Sequence, residues 1–152
     1  MQTSNPPRRH TLPSIFPPIV KNVKVLLVED NEIIQYVMDI NLKELGCHVD
    51  IANDGEQAIN MYPNGYDIIF MDIGLPKIGG IEVTQAIRAQ EREQGGHTII
   101  VATTVLGDLV IKECKEAGVD DFYNKPLLQK DLVVILKRWS PAMSLCQPVT
   151  LA

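Results

Sequence analysis

The sequence predicts an α/β protein: a doubly wound, parallel sheet with helices packed on both faces. Three features carry that expectation. Five short apolar runs, KVLLV, HVDIA, YDIIFM, TIIVAT and a weaker VDDFYN, alternate with helix-like segments, the order of successive βα units. The first, third and fourth runs are almost continuously apolar, as strands covered on both faces are. The segments between them repeat apolar residues every three or four positions, the spacing of one helix face.

In chain order, the stretch from Met1 to about Val20 holds five of the ten prolines and has no strand or helix period. It is expected to be an extended leader or linker over residues 1–21, and its Arg8, Arg9 and His10 cluster a solvated tail. The first strand is KVLLV. A helix follows on the stripe Ile34, Met38, Leu42 and Leu45, with Gly46 as its stop. HVDIA is the second strand, and Asp54, in NDGEQAI, stands where the next helix begins. YDIIFM leads to Asp72, and Gly80, in GGIEVTQAIR, opens the third helix. TIIVAT is followed by the stripe Leu106, Val110, Cys114 and Ala117 ahead of Gly118. After VDDFYN, a last stripe of Leu132, Ile135, Leu136 and Trp139 completes a folded unit over 22–139, and 140–152 form a short tail.

The totals narrow the function. A chain of 152 residues is most simply one domain with a sizeable core. With 45% apolar residues, 22% charged residues and a net charge of -5, it has no basic excess to attract nucleic acid directly. No apolar run approaches the ~20 residues of a membrane span. Cys47, Cys114 and Cys146 have neither metal-like nor redox-motif spacing, which suits a reduced compartment. A cytoplasmic protein is expected.

The carboxylates hold the chemistry. In a doubly wound sheet the ligand site lies beyond the carboxyl ends of the strands, where strand order reverses. Glu29 and Asp30 follow the first strand and Asp72 ends the third, so three acids converge if those strands are neighbours. Two such charges ~5 Å apart repel by roughly 3 kcal/mol at an effective dielectric near 20, which a cation relieves. A sparse set of oxygen ligands suits Mg²⁺ better than zinc or calcium. The alternative is that each acid caps a following helix, as Asp30 would for the segment from Asn31.

The other strand ends add Thr103 and Thr104, then Lys125 before Pro126. A lysine, a hydroxyl, a cation and a spare carboxylate on one rim are the parts that phosphoryl transfer needs. No G-x-x-x-x-G-K-[ST] loop is present, and His10, His48 and His97 form no catalytic pattern. Gly74, two residues after Asp72, breaks the paired-acid pattern of haloacid-dehalogenase phosphatases.

With these residues in place, the chain resembles the receiver domain of two-component response regulators, including receivers attached to hybrid histidine kinases. The matching pieces are VLLVEDNE, DIIFMDIGLPKIGGIEVTQAIR, VATT and CKEAGVDDFYNKP, spread over about Lys24 to Arg138. The resemblance implies a flavodoxin-like (βα)5 three-layer sandwich with strand order 2-1-3-4-5. It implies that Asp72 is the phosphoacceptor, attacking the phosphohistidine of a histidine kinase or histidine phosphotransfer protein. Asp30, Asp72 and the Gly74 backbone carbonyl would ligate Mg²⁺, or Mn²⁺ in its place, with Glu29 assisting. Lys125 would pair with the phosphoryl group, Thr103 would follow it inward, and Phe122, beside Tyr123, would be the switch aromatic. The fourth helix, fifth strand and fifth helix would present the change to a downstream protein, making the chain a signalling phosphoacceptor rather than an enzyme.

Three positions depart from the common pattern: Gly74, Thr104 and the Gly79-Gly80 pair. Neither Gly74 nor Val105 offers a polar group to orient water, so slow self-dephosphorylation is expected. Two other functions compete, a phosphorylation-independent interaction module with the same fold and a hydrolytic phosphatase of the same sheet class.

Overall fold

Alternation along each strand sorts the apolar residues onto two faces. In β1 (Val23–Val28), Val23, Val25 and Leu27 point one way and Leu26 and Val28 the other, and all five are buried. β3 (Ile68–Asp72) divides in the same way, Ile68 and Phe70 against Ile69 and Met71. Both faces of these strands are covered, which is why their sequences read as unbroken apolar runs.

The protein was analysed as a computed structural model that describes residues 18–140. After β1 come α1 (Glu32–Glu44), β2 (Cys47–Ala52), α2 (Gly55–Met61) and β3. They are followed by α3 (Gly80–Gln94), β4 (Ile99–Thr104), α4 (Ile111–Ala117), β5 (Asp121–Asn124) and α5 (Gln129–Trp139). All neighbouring strands pair in parallel, in the order β2-β1-β3-β4-β5. This is the flavodoxin-like three-layer arrangement that the resemblance implies. α1 and α5 cover one face through Met38, Leu42, Leu45, Leu132, Ile135 and Leu136. On the other face Ala58, Val83, Ile87 and Cys114 bring in α2, α3 and α4.

The helix stops fall where glycine is needed. Gly46 after α1 has φ +106 and Gly118 after α4 has φ +104, a region that side chains disfavour. Asp54 caps α2 by accepting from Gln57 N–H at 2.8 Å. At α1 the cap is Asn31, whose Oδ1 accepts from Ile33 and Ile34 N–H at 3.0 and 3.1 Å. Asp30 is therefore not the cap of that helix.

Two expectations are corrected. The stripe from Leu106 does not form one helix, because Gly107 takes φ +60 and a 3-10 turn, Gly107–Val110, precedes α4. Leu106 is exposed rather than core. The expected leader also extends too far. Val20 is buried, and the N–H groups of Ile19 and Val20 both donate to Leu45 O, so the packed chain begins ahead of residue 22. Residues 1–17, with Arg8, Arg9 and His10, and residues 141–152, with Cys146, lie outside the described residues.

Among the described residues no helix is long and apolar enough to cross a membrane. Cys47 and Cys114 are free and buried. Burial, helped by the charge of Asp67, pushes the Cys47 thiol up to about 12, so it packs as an inert apolar group. His48 is exposed on β2, whereas His97 Nε2 lies 2.7 Å from Asp120 Oδ1. It edges a polar cluster in which buried Arg88 reaches Glu91, Asp120, Thr98 O and Gly118 O, tying α3 to the turn before β5.

One helix supplies a matched test of the core. Leu42→Ala, at a fully buried position of α1, should destabilise by about 2–5 kcal/mol in urea denaturation. Ile33→Ala on the same helix, where the side chain is 76% exposed, should stay within about 0.5 kcal/mol.

Candidate functional site

The strand order reverses between β1 and β3, and their carboxyl ends open a cleft there. Because β1 and β3 are adjacent, Glu29, Asp30 and Asp72 do converge. One carboxylate oxygen from each lies within 4.8 Å of the others. Glu29 and Asp72 are buried at 2% and 4% exposure, whereas Asp30 is exposed at the mouth. The cleft has a volume of about 400 Å³, and Gly74, Thr104, Val105 and Lys125 are among its other lining residues.

Lys125 binds the two buried acids together. Its Nζ lies 2.8 Å from Glu29 Oε2 and 3.0 Å from Asp72 Oδ2. Asp72 Oδ1 accepts the Gly74 N–H at 2.9 Å, and Glu29 Oε1 accepts the Asn31 N–H at 3.2 Å. Each buried carboxylate therefore has partners on both oxygens. No hydrogen bond or ion pair among the described residues engages the Asp30 carboxylate. Its position at the mouth, with oxygen donors behind it, leaves it available to an incoming cation.

The site's charge is arranged by burial as much as by proximity. Removal from water is the largest influence on Glu29 and lifts its carboxyl above the usual carboxylate range. The hydrogen bond from Lys125 opposes that lift and the charge of Asp72 adds to it. Burial pulls Lys125 downward, but its bonds to Glu29 and Asp72 and the charges of both acids outweigh that effect. Its ammonium is held above the ordinary lysine range.

Backbone geometry fixes the floor. A Cβ on Gly80, the first residue of α3, would stand 2.2 Å from Asp72 O and 2.8 Å from Ile73 Cα. Only glycine lets α3 begin so close behind Asp72, whereas a Cβ on Gly79 would meet only Ile73 O at 3.8 Å, so the departure at Gly79 has no steric cause.

The two threonines divide the rim. Register pairs Asp72 with Thr103, whose buried hydroxyl donates to Met71 O at 3.4 Å. Thr103 faces an apolar groove beside the cleft, shared with Ile33, Val37 and Pro126. Thr104 lines the acidic cleft itself, and its Oγ1 accepts the Leu106 N–H at 3.0 Å. Phe122 and Tyr123 point to opposite faces of β5: Phe122 packs toward α4 and Tyr123 toward α5. Asn31 and Gln35, which support the β1–α1 turn, were not legible as site residues. Gln35 falls between apolar neighbours and looks like a solvent-face position.

The donor set fits a hard divalent cation: three carboxylates, two of them buried, with no sulfur or imidazole. Fold and site together define a doubly wound α/β protein with an acidic cleft, held by a lysine, at its switch point. The family model for the response regulator receiver domain matches residues 25–137. Hybrid signal transduction histidine kinase I of Dictyostelium discoideum is 39% identical over 120 residues, covering 74% of this chain and 7% of that protein. The osmosensing histidine protein kinase SLN1 of Saccharomyces cerevisiae is 36% identical over 129 residues, covering 80% of this chain and 10% of that kinase.

Among solved structures, a Pseudomonas aeruginosa sensor histidine kinase receiver domain, with a magnesium ion coordinated in its active-site cleft, superposes with TM-score 0.70. It is 37% identical and covers 78% of this chain and 97% of that one. The receiver domain of the Saccharomyces cerevisiae response regulator Ssk1, in complex with the histidine phosphotransfer protein Ypd1, superposes with TM-score 0.76 at 27% identity. The match covers 86% of this chain and 96% of that one. The chain belongs to the response regulator receiver domain family. It spans under a tenth of the first kinase and a tenth of the second.

The raised Glu29 carboxyl carries a pH signature. Its folded value lies above its unfolded one, so its stabilising contribution is full below the ordinary carboxylate range. That contribution is lost as pH rises through the folded value. In metal-free protein, Glu29→Gln should gain stability relative to wild type across that window, read as the gap between urea midpoints. A gap moving the other way would show that the Lys125 bond outweighs burial.

Proposed function

We propose that this receiver domain is a phosphoacceptor in a two-component phosphorelay, and that Asp72 takes the phosphoryl group. The observation that carries the reading is the placement of Asp72: buried at the switch point, 3.0 Å from Lys125 Nζ, with Glu29 and Asp30 within 4.8 Å. In the transfer, an Asp72 oxygen attacks phosphorus, the phosphorus–nitrogen bond of the donor phosphohistidine breaks, and its electron pair leaves with the imidazole. An acyl phosphate remains on Asp72.

Glu29, Asp30, Asp72 and the Gly74 carbonyl would hold Mg²⁺, or Mn²⁺ in its place. A bound cation supplies charge neutralisation for the phosphoryl oxygens. Lys125 moves from pairing two acids to pairing the new phosphoryl group, and the Thr103 hydroxyl turns from Met71 O to follow it. The added group brings about two negative charges and new acceptor oxygens, which give those two side chains a second stable arrangement. Thr103 and Phe122 are the switch pair in this reading. The face of α4, β5 and α5 carries the change to a downstream protein, and the chain assists its own phosphorylation without being an enzyme on other substrates.

An apolar collar supports docking of a phosphohistidine protein. Ile33 and Val37 on α1 and Val105 on the β4–α4 loop are exposed beside the cleft. The groove that Ile33, Val37 and Val105 share with Pro126 and Leu127 has a volume of about 360 Å³. The relative seen with Ypd1 points to the same kind of partner, a histidine phosphotransfer protein or kinase. A purely structural interaction module has no need of all five groups, Glu29, Asp30, Asp72, Thr103 and Lys125. A phosphatase would need a general acid where Gly74 stands.

Incubation with Mg²⁺ and acetyl phosphate should add one phosphate mass to wild type and none to Asp72→Asn or Asp30→Ala. With Gly74 and Val105 beside the site, the label should persist for minutes or longer. No increment on wild type would favour the interaction module, and steady phosphate release from varied esters would favour a phosphatase. Ile33→Glu should slow transfer from a phosphorylated histidine phosphotransfer protein by about tenfold or more, since buried interface anchors are worth ~2 kcal/mol. The same variant should leave acetyl phosphate labelling within about twofold, because Ile33 touches no reacting group.

A further inference from the structure

We infer that Gln35 is a positioning residue for the cation-binding turn, acting through the Glu29 main chain and not by touching the acids. This rests on the cation reading of the site above and adds to it a residue outside the acidic cleft.

Glu29 follows the last paired residue of β1. Its N–H still donates to Ala52 O on β2, but pairing with β2 ends at Val28 and Ala52, so no strand N–H is left on that side for its carbonyl. A buried carbonyl must be satisfied, and the Gln35 side chain does so: Nε2 donates to Glu29 O. Nε2 also donates to Asn53 Oδ1 at 2.8 Å. Asn53, in the turn between β2 and α2, gives its N–H and Nδ2 to Gln57 Oε1 at 2.9 and 3.2 Å.

Main-chain groups set the direction of every amide in this chain. Glu29 O can only accept, so Gln35 must present its NH2, and with both of its hydrogens spent Asn53 must offer its oxygen. From the other end, the Asn53 N–H can only donate, so Gln57 must present its oxygen, which in turn takes the Asn53 NH2. The two ends demand the same orientation, leaving one arrangement and no frustrated flip. The Glu29–Asp30 peptide is thus held by Gln35 on its carbonyl, while the Asn31 N–H ties the following residue to Glu29 Oε1. Among the described residues Asp30 has no side-chain partner to fix it, so its place at the mouth depends on that peptide.

Outer groups that orient metal ligands cost about tenfold or more in affinity when lost. Gln35→Leu should therefore raise the Mg²⁺ dissociation constant, measured by titration calorimetry, by about tenfold. Gln35→Glu is the sharper variant. Its added negative charge would tighten Mg²⁺ binding by attraction alone, yet its carboxylate cannot donate to Glu29 O, so weaker binding is expected there too. Asn53→Ala, which keeps the donor but removes its anchor, should give a smaller loss. In each variant the metal-free unfolding midpoint should stay within a few degrees of wild type.

Equal Mg²⁺ affinity in wild type and Gln35→Leu, or tighter binding by Gln35→Glu, would overturn the inference alone. So would a loss of affinity that simply tracks a collapse of the metal-free midpoint in both Gln35 variants. A wild-type protein that takes up no Mg²⁺ would overturn the cation reading, and with it this inference.

Discussion

Everything at the strand ends depends on one lysine shared by two buried acids. Lys125 arrives on the loop after β5, yet it binds Glu29, 96 residues earlier in the chain, at 2.8 Å. Taking two carboxylates and an ammonium out of water is costly, and such an arrangement holds only when every oxygen finds a donor. Here the donors are the Lys125 ammonium, the Gly74 N–H and the Asn31 N–H, and the last two lie on the loops that follow β3 and β1. The site is therefore folded into the sheet and not attached to it. Removing one member of a buried ion group typically costs 3–5 kcal/mol, because the remaining charges stay buried without their partner.

That same arrangement couples three strand ends, since Lys125, on the loop after β5, is shared by acids that follow β1 and end β3. The loop that follows β4 exposes Val105, Leu106 and Leu109, whereas the loop after β3 buries Ile73 and Leu75. The backbone between β4 and α4 is interrupted by Gly107 and by the 3-10 turn. At its far end α4 is pinned through Gly118 O by Arg88. α4 is thus fixed to α3 at its carboxyl end, while the exposed 3-10 turn joins its other end to the strand-end rim.

Much of the fold was legible because it follows from local rules. Buried runs at KVLLV, YDIIFM and TIIVAT became the three central strands, and Gly46 and Gly118 ended α1 and α4, since their backbone conformations exclude most side chains. Misreadings came where local pattern and tertiary context compete. Leu106 keeps helical spacing with Val110, but Gly107 breaks the helix between them. Val20 sits in a proline-rich stretch, yet the end of α1 offers Leu45 O and a place in the core. Asn31 and Asp30 are equally good caps by residue type, and only the direction of the turn chose Asn31.

The sequence alone determined which groups stand at the strand ends, because the period of the apolar runs dictates where each strand stops: Glu29, Asp30, Asp72, Thr103 and Lys125 could be named from spacing and resemblance. Which of them meet, and how, was decided by tertiary structure. The order β2-β1-β3-β4-β5 makes β1 and β3 neighbours, and register sets Thr103 beside Asp72 while turning its hydroxyl to Met71 O and leaving Thr104 to line the cleft. The amide chain through Gln35, Asn53 and Gln57 has no sequence signature at all. Its members satisfy main-chain groups exposed only where strands end, and those ends come together only when the sheet is assembled.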